Sequence, residues 1–531
     1  MLRILLVKPY QPSIITVCQP PLGLLYLTSY LREQLEDVHV EVLDMRLDKL
    51  SANDLANRTD IGSFDLVGIS ALNFEAEAAH RIGNTIKQHW PKVITALGGP
   101  YAHSSLIRTL ESGGFDWVFD GEAERTFASA LRIHFKEQGD LREVPGLTWW
   151  NKAGDEYIQN GGYDSIPDLD SLPLPAWDLV DFRAYARRPN QNGWLRGNLY
   201  AAIFTSRGCP YKCSYCHDIF GKKFRWRSAE NVLQEIEMLH REYGIDEIQI
   251  IDDIFNLHKP RMRHIAHHVI ETFGERKLFF CFPNGVRADI FETEDIPLMA
   301  RMGVFQITVA IETITPRLQD LVQKDLKLDR VTEIIEECDR HGILSKDFFM
   351  IGFPTETLEE IENTIRYAVD SPLTWAGIFL VVPQEGTPLH TLAMKESPVA
   401  LEHITLRDYY SDTSWYQHAY NVDLQKIQKR AFCRFYLRPW RMWRIARNVS
   451  FMNLLRGIRI FFNIVTIKNA EPRTRNHSDL SGAEQDIKPP VARSRNVKIS
   501  RAGSANTPGG VTTVPLASLK TRRVAANQTT P

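Results

Sequence analysis

The sequence has few cysteines and no long apolar run, and both absences narrow the class of protein. Seven cysteines in 531 residues are too few, and odd in number, for a small disulfide-stapled secreted domain. No stretch approaches the ~18 uninterrupted apolar residues of a membrane span. Lys8 and Pro9 stand where a signal peptide would continue its apolar region. We therefore expect a cytoplasmic protein.

A net charge of one sign is also lacking over the chain as a whole. The sequence has 63 Lys or Arg against 65 Asp or Glu, a formal net charge of −2, and no nucleic-acid-binding motif, so no nucleic-acid partner is expected. Residues 426–459 are an exception, with ten Lys or Arg and no Asp or Glu among interleaved aromatics. This segment predicts a helical cap with a basic outer face. The alternative is peripheral contact with the inner face of an anionic membrane.

Three of the cysteines stand close together, as Cys209, Cys213 and Cys216 in the spacing C-x3-C-x2-C. Structural zinc takes four ligands, usually as two pairs separated by a loop, and no second pair follows here. His217 directly follows Cys216, and adjacent side chains seldom reach one tetrahedral ion together. A 4Fe–4S cluster held by three thiolates leaves one iron open to a substrate or cofactor. The spacing therefore favours an iron–sulfur cluster over zinc.

Strand-like segments alternate with helical ones on both sides of this loop, which is typical of parallel α/β sheets. Five segments within residues 1–140 predict an open doubly wound sheet. Six more follow, at Ala201–Ser206, Glu247–Asp253, Leu278–Asp289, Val304–Thr313, Asp347–Thr357 and Ala376–Pro388. Polar residues cluster at the carboxyl ends of these strands, where parallel barrels carry their sites. They are Asp252, Asp253, Asn284, Arg287, Glu312, Glu356, Gln384 and Glu385.

The cysteine spacing, with Tyr215 directly before the last cysteine and a strand directly before the loop, resembles the radical S-adenosylmethionine (SAM) superfamily. The resemblance implies that the six later strands form a partial (βα)6 barrel. It also implies that the three cysteines hold a 4Fe–4S cluster whose open iron binds the amino and carboxylate groups of SAM. One-electron cleavage of SAM to a 5′-deoxyadenosyl radical then requires an external donor such as flavodoxin or ferredoxin.

The same resemblance implies a set of SAM contacts, with two departures from the family pattern. The implied contacts are Tyr215, Asp252, Asp253, Glu312, Gly352 and Glu356. Gly352 lies four residues before Glu356 rather than the usual three, and Ile251-Asp252-Asp253 replaces a Gly-Gly-Glu motif. Cys281 and Cys338 are expected to be packed thiols rather than ligands.

The first 140 residues lack the dinucleotide fingerprint G-x-G-x-x-G after their first strand. The segments "PPLGLLYLTSYLR", "GGPYAHSS" and "DGEAERTF" instead resemble the cobalamin-binding domain found upstream of radical SAM cores. This implies a cobalamin pocket lined by Gly98, Gly99 and Gly121. The cobalt-ligating motif D-x-H-x-x-G is absent, because Val42 stands at its sixth position after Asp37-Val38-His39. We therefore expect cobalamin to bind without a histidine on cobalt, and His39 to be a strand residue.

These interpretations divide the chain into five segments. They are a cobalamin-binding domain (1–140), a linker with a hairpin (141–197), a radical SAM core (198–400), a helical basic segment (401–470) and a disordered tail (471–531), the tail being rich in Pro, Ser, Thr and Gly. The combination resembles cobalamin-dependent radical SAM methyltransferases and the anaerobic porphyrin cyclases.

This resemblance implies methylation of an unactivated carbon of a small metabolite or lipid. One SAM would methylate cobalt and a second would supply the radical that abstracts a substrate hydrogen. Cobalamin-assisted oxidation, cyclisation or rearrangement is the alternative. Methylthio transfer ranks lower, because it needs three more closely placed cysteines upstream and only Cys18 precedes the core.

Overall fold

The computed structural model describes two α/β units, a linker between them and a set of C-terminal helices. The described residues are 1–12, 17–58, 60–136, 138–216, 219–402, 414–448, 454–455, 458–459, 461–462, 498–501 and 512–515. In this part of the chain no helix is both long and apolar enough to cross a membrane.

The first unit is an open sheet with a parallel core. Its strands are β1 (Leu2–Lys8), β2 (Val38–Asp44), β3 (Leu66–Ser70), β4 (Ile94–Gly98), β5 (Trp117–Phe119), β6 (Leu147–Asn151) and β7 (Glu156–Gln159). The parallel strands follow the order β2-β1-β3-β4-β5, and the antiparallel hairpin β6–β7 extends the sheet beyond β5. This order is a doubly wound one whose switch point lies between β1 and β3, which confirms the predicted fold class.

Helices cover both faces of this sheet. They are α1 (Leu22–Gln34), α2 (Met45–Asp48), α3 (Ala52–Ala56), α4 (Ala76–His89), α5 (Pro100–Ser104), α6 (Leu106–Glu111) and α7 (Glu124–Lys136), and α8 (Phe182–Ala186) lies in the linker. Helix α1 is apolar on two sides. Leu24 and Leu31 pack into the core of the first sheet, whereas Leu22, Leu25 and Tyr26 pack into the core of the second unit.

The second unit is a six-stranded parallel sheet in the order β8-β11-β12-β13-β14-β15. Its strands are β8 (Tyr200–Ile203), β11 (Glu247–Ile250), β12 (Phe279–Phe282), β13 (Val304–Thr308), β14 (Leu344–Ile351) and β15 (Trp375–Leu380). The short strands β9 (Ser206–Arg207) and β10 (Arg225–Trp226) pair antiparallel on either side of the cysteine loop. All six predicted strands are present, in sequence order.

Helices lie against one face of these strands, and the opposite face turns to the inside of the partial barrel. They are α9 (Ala229–Tyr243), α10 (Lys259–Phe273), α11 (Asp295–Met302), α12 (Pro316–Leu321), α13 (Leu328–Arg340), α14 (Leu358–Asp370) and α15 (Pro388–Glu396). On β14 the residues Phe349 and Ile351 are buried in the core beneath the helices. Their neighbours Lys346, Phe348 and Met350 are only partly buried. We call the space lined by this second face the lumen.

Helices α16 (Pro398–Glu402), α17 (Trp415–Tyr420), α18 (Leu424–Tyr436) and α19 (Pro439–Asn448) complete the C-terminal part. Arg441 of α19 is fully buried and donates to four carbonyls, those of Val369, Ser371, Leu373 and Phe435. It therefore satisfies carbonyls at and beyond the C-terminal end of α14, which the helix itself leaves without donors. Trp440 and Trp443 are 41% and 64% exposed, so they are surface residues of this helical extension.

Two strands of the predicted disordered tail are described, and they differ from that expectation. Strand β16 (Lys498–Arg501) pairs in parallel with β7, and β17 (Thr512–Pro515) pairs antiparallel with β16. Ile499 is buried in the core of the first sheet. An unpaired strand edge offers backbone hydrogen bonds to any extended segment, and a prediction from tail composition takes no account of them. The rest of the predicted tail lies outside the described residues.

Candidate functional site

The cysteine loop leaves the barrel after β8 and carries Cys209, Cys213 and Cys216. Gly208 begins it with a φ of +84°, and a Cβ at this position would collide with the carbonyl oxygen of Lys223 on the returning strand. The Cys209 amide donates to the carbonyl of Gly221 at 3.3 Å. The loop is therefore closed at its base, and it carries its three thiols beside the end of the barrel.

Cys209, Cys213 and Cys216 form no disulfide among the described residues. Among the described residues, which exclude His217 and Asp218, no three Cys, His, Asp or Glu side chains are grouped to hold one metal ion. A 4Fe–4S cube takes one thiolate per iron and so separates its ligands. Burial raises the pKa of Cys209, and coordination to iron would offset this by stabilising the thiolate.

The two predicted acids after β11 have different surroundings. The buried Asp252 accepts from the Thr205 amide at 2.6 Å and from the Thr205 and Ser206 hydroxyls at 2.5 and 2.6 Å. These bonds join the ends of β8 and β11 and engage both carboxylate oxygens of Asp252, while its SAM contact stays a prediction. Asp253 is exposed, and its charge contributes to the raised pKa of Cys209. It is the acid that faces the cysteine loop.

Tyr215 and Glu312 are brought together by the fold, and Lys324 joins them. The Tyr215 hydroxyl donates to Glu312 Oε1 at 3.2 Å, and Lys324 Nζ lies 3.0 Å from that hydroxyl and 3.5 Å from Glu312 Oε1. Burial raises the pKa of Glu312, while the Lys324 charge opposes that shift. A carboxylate, a phenol and an ammonium group thus form one connected cluster beside the cysteine loop. Such a cluster can bind the hydroxyl, amino and carboxylate groups of SAM.

The backbone of Glu312 is held in a left-handed conformation. Its φ is +68°, which is uncommon for a residue other than glycine. The Glu312 amide donates to the Phe348 carbonyl at 2.9 Å, and its carbonyl accepts from the Met350 amide at 2.8 Å. These bonds to β14 maintain the strained conformation, as is typical of residues held in place for function.

The predicted pair Gly352 and Glu356 forms a tight turn after β14. Glu356 Oε2 accepts from the amides of Gly352 and Phe353 at 2.6 and 2.9 Å, while Oε1 is buried without a partner in the described structure. Burial raises the pKa of Glu356 to about 7. Gly352 has a φ of +92°, and a Cβ there would collide with Leu424. The extra residue in the motif is therefore accommodated within the turn, and one carboxyl oxygen stays available for a donor such as an adenine amine.

The glycines predicted to line the cobalamin pocket lie at the carboxyl ends of β4 and β5. A Cβ on Gly98 would meet nothing within 4 Å, whereas one on Gly99 would press on Ser70 and Ala71. Gly121 has a φ of +93°, and a Cβ there would collide with the Tyr163 ring. Gly98 thus borders open space, while Gly121 is required by packing within the chain.

Two histidines of the first unit, His39 and His103, differ in their position relative to these glycines. His39 lies in β2, the edge strand of the first sheet, where its Nε2 is 3.1 Å from Glu41 Oε1. Its place near the start of β2 puts it at the end of the sheet away from the glycines. His103 follows β4, and its Nδ1 is 2.6 Å from Asp120 Oδ1.

The carboxyl ends of the two sheets face each other, and a buried ion-pair network joins them. Glu122, after β5, pairs with Arg207 at 3.0 Å and with Arg225 at 3.1 Å, and Glu124 pairs with Arg207 at 2.7 Å. All four side chains are at least nine-tenths buried. We call them the Glu122 clamp. Because Arg207 and Arg225 lie on β9 and β10, the clamp holds both ends of the cysteine loop against the first sheet.

A second contact joins the two sheets on the side of the switch point. The Asn73 side chain, after β3, donates to Gln384 Oε1 at 2.9 Å, beyond the end of β15. Ser104, after β4, donates to Asn73 Oδ1 at 2.8 Å. The glycine-bordered edge of the first sheet and the mouth of the barrel are therefore adjacent along their length.

Lys324 and the clamp residues were missed by the sequence prediction. Arg207 and Arg225 bracket the cysteines in the sequence, and Glu122 belongs to the segment "DGEAERTF", so a signal for the clamp was present. Lys324 follows α12 in an ordinary-looking loop, and no feature of its sequence predicts that it returns to Tyr215.

Comparisons with known proteins agree with this geometry. The Radical SAM superfamily matches residues 203–368 and the B12 binding domain matches residues 15–131. The chain is 28% identical over 446 residues to an uncharacterized methyltransferase of Pyrococcus horikoshii, covering 83% of this chain and 93% of that protein. It is 29% identical over 419 residues to cytidylyl-2-hydroxyethylphosphonate methyltransferase of Streptomyces wedmorensis, covering 70% and 77% of the two chains.

A solved structure shares the fold. The radical S-adenosylmethionine methyltransferase TsrM from Kitasatospora setae, with cobalamin and a [4Fe-4S] cluster bound, has a TM-score of 0.59 at 20% identity and covers 75% of this chain and 76% of its own. The two domain matches confirm the predicted cofactor set of a 4Fe–4S cluster, SAM and cobalamin. The chain belongs to the radical SAM superfamily, in the group whose members carry an N-terminal cobalamin-binding domain.

Proposed function

We propose that this chain is a cobalamin-dependent radical SAM methyltransferase that adds a methyl group to an unactivated carbon of a small substrate. The supporting observation is the placement of the two cofactor-bearing edges. The Glu122 clamp fixes the cysteine loop against the first sheet, and Asn73 joins that sheet to the rim of the barrel. A methyl carrier and a radical source are then held across one shared space.

The residues of the chain divide the work of binding. Cys209, Cys213 and Cys216 are proposed to hold the cluster, with its fourth iron open. Tyr215, Glu312 and Lys324 form a polar cluster beside it that orients SAM, and Glu356 is proposed to accept from the adenine. When bound, the cofactors supply an electron, a carbon-centred radical and a transferable methyl group. Gly98, Gly99 and Gly121 are proposed to border the cobalamin, with Asp253 near the SAM amino group.

The lumen is the proposed substrate space. Its walls include Phe348 and Phe379, whose rings pack edge to face at 5.5 Å, with Met350 beside them on β14. Apolar walls limit the water near a reactive radical and favour the apolar part of a substrate. The exclusion of water and the affinity for apolar groups both suit hydrogen abstraction from an unactivated carbon.

An external electron donor of the flavodoxin or ferredoxin class is part of this proposal, because none of the proposed cofactors brings a reductant. Association with an anionic membrane is proposed to be at most peripheral and salt-sensitive, with a lipid among the candidate substrates. Arg434 and Arg438 are already paired with Glu362 and Asp370, so only part of the basic charge of the C-terminal segment is free to attract lipid headgroups.

A labelled methyl donor tests the reaction class. The anaerobically reconstituted chain is reduced, supplied with SAM bearing a trideuterated methyl group and incubated with candidate metabolites. We expect 5′-deoxyadenosine and a product that has gained the labelled methyl group. A product that has lost two hydrogens without gaining the label would identify the oxidative alternative, and a product with added sulfur would identify methylthio transfer.

A further inference from the structure

Lys346 is a partly buried lysine on the lumen face of β14. Parallel pairing places Lys346 beside Thr308 of β13 and beside Trp375 of β15. Residues paired in register point to the same side of a sheet, so these three side chains share the lumen face. Lys346 precedes Phe348 by two residues on β14. Glu312 is hydrogen-bonded to the strand at Phe348. The lysine therefore lies deeper in the lumen than the SAM-binding cluster.

The Lys346 ammonium group has no counterion in the described part of the chain. Lys346 makes a cation–π contact with the Phe348 ring, whose centroid lies 5.0 Å from Nζ. The protonation of Lys346 is further influenced by its burial and by the thiol of Cys281 on β12. An ammonium group that is partly withdrawn from water without a partner is unfavourable. Burial accordingly lowers the pKa of Lys346 to about 8.

Glu247, a buried acid at the start of β11, is already engaged by other donors. Glu247 of β11 accepts from the amides of Arg196 and Gly197 at 2.6 and 3.0 Å, and from the Gln249 side chain at 2.8 Å. Its carboxylate is thus held by these three donors rather than by Lys346. The positive charge on β14 is left to be balanced from outside the chain.

A second, independent observation points to a ligand in the same place. Thr308, the in-register neighbour of Lys346, is fully buried, and its hydroxyl has no hydrogen-bond partner in the described residues. Gln306, two residues earlier on the same face, is also fully buried and has an unpartnered side-chain oxygen. Buried polar groups are normally satisfied. A lysine, a hydroxyl and an amide are therefore gathered on one stretch of wall with unused hydrogen-bonding capacity.

We propose that Lys346, with Thr308 beside it, binds an anionic group of the substrate, either a carboxylate or a phosphoryl group. This inference rests on the proposed function, because it assigns the lumen to the substrate of that reaction. It defines the substrate as a compound with an anionic end directed toward β14. Since Trp375, Phe348 and Phe379 line the neighbouring wall, the remainder of the compound is apolar and presents the carbon to be methylated.

The test measures binding of simple anions to the full-length reconstituted chain, because the natural substrate is not identified. The probes are methylphosphonate for the phosphoryl arm and isobutyrate for the carboxylate arm. Dimethyl methylphosphonate and isobutyramide are their neutral counterparts. Binding is followed by NMR line broadening of each probe at constant ionic strength, in the wild type, Lys346→Met, Lys346→Arg and the surface control Lys395→Met, whose lysine is exposed on α15.

We expect at least one anionic probe to bind the wild type and Lys395→Met, and its neutral counterpart to bind far more weakly. Lys346→Met should weaken the anion about tenfold or more, as expected for loss of a hydrogen bond to a charged group. Lys346→Arg should retain most of the affinity because it keeps the charge. The probe with the stronger Lys346 dependence identifies the chemical class of the anion.

Two results would overturn the proposal: equal binding of the anions to the wild type and Lys346→Met, or no binding of either anion to the wild type. Iron and cobalamin contents of Lys346→Met establish that it is folded, and Lys346→Gln serves as a second uncharged variant if they fall. Probe binding requires neither reduction of the cluster nor methyl transfer. A failure of methylation would therefore sink the proposed function and leave the binding result interpretable on its own.

Discussion

Removing the carboxylate of Glu122 is the sharpest test of how the cysteine loop is held. In Glu122→Ala, Arg207 loses its 3.0 Å partner and keeps Glu124 at 2.7 Å. Arg225 loses both of its contacts with Glu122 and keeps only the carbonyls of Ile166 and Phe220. Arg225 is 4% exposed, so water cannot replace the lost charge.

The expected cost is that of breaking a buried ion pair from one side, about 3–5 kcal/mol. This is a large share of the ~5–15 kcal/mol that stabilises a typical folded protein. Because Arg207 directly precedes Gly208 and Cys209, the damage is expected to reach the loop as well. We expect Glu122→Ala to lower the free energy of unfolding in urea and to reduce the iron bound after reconstitution.

The matched control is Glu77→Ala, which removes an exposed pair with Arg81 within α4. Such pairs contribute less than about 1 kcal/mol, so this variant should unfold like the wild type and bind iron normally. If Glu122→Ala had wild-type stability and a full iron content, the Glu122 clamp would not be what holds the cysteine loop.

Three further predictions follow from the same structure. Cys209→Ala, Cys213→Ala and Cys216→Ala should each abolish the absorbance of the iron–sulfur cluster, whereas Cys338→Ala, a buried residue of α13, should keep about four irons per chain; stoichiometric zinc without iron in the anaerobically purified wild type would contradict this. Because burial raises the pKa of Glu356 to about 7, its contribution to stability is full below the unfolded value of ~4.3 and is lost as pH rises through about 7. The Glu356→Gln variant should therefore gain up to about 3 kcal/mol relative to the wild type between pH 5 and pH 8.5, and a pH-independent difference in urea unfolding would disprove this assignment. His39→Ala should leave the cobalamin spectrum unchanged, since His39 lies on the edge strand with Glu41; a shifted cobalt band would show that it is a ligand.

The two sheets were predictable from the sequence because their signals are local. Most strands are short apolar runs followed by a segment whose apolar residues recur at helical spacing. The cysteine spacing is specific to one kind of cluster. The partial barrel was predicted from the resemblance, and the doubly wound sheet from the alternation of strands and helices. The order β2-β1-β3-β4-β5 was not predicted and comes from the structure. The hairpin of the linker was also predicted, and the structure has it as β6 and β7.

The interactions between distant segments were not predictable in the same way. Asp252 and Asp253 are adjacent in sequence, yet Asp252 accepts hydrogen bonds from Thr205 and Ser206 and Asp253 is exposed. Which of two neighbouring acids faces the cofactor depends on the pleat of the strand end. The tail strand β16 was missed for a related reason, because its stabilisation comes from the free edge of β7 rather than from its own composition.

Helix α1 has a consequence for how the molecule folds and moves. Leu24 and Leu31 belong to the core of one sheet, while Leu22, Leu25 and Tyr26 belong to the core of the other. Helix α1 is therefore shared by both hydrophobic cores. Separating the two units would expose apolar side chains of this helix to water. The two units should melt in one cooperative calorimetric transition, and a hinge that swings one unit away from the other would cost as much as partial unfolding. The separation between the glycine-bordered edge and the cysteine loop is then expected to be set when the chain folds.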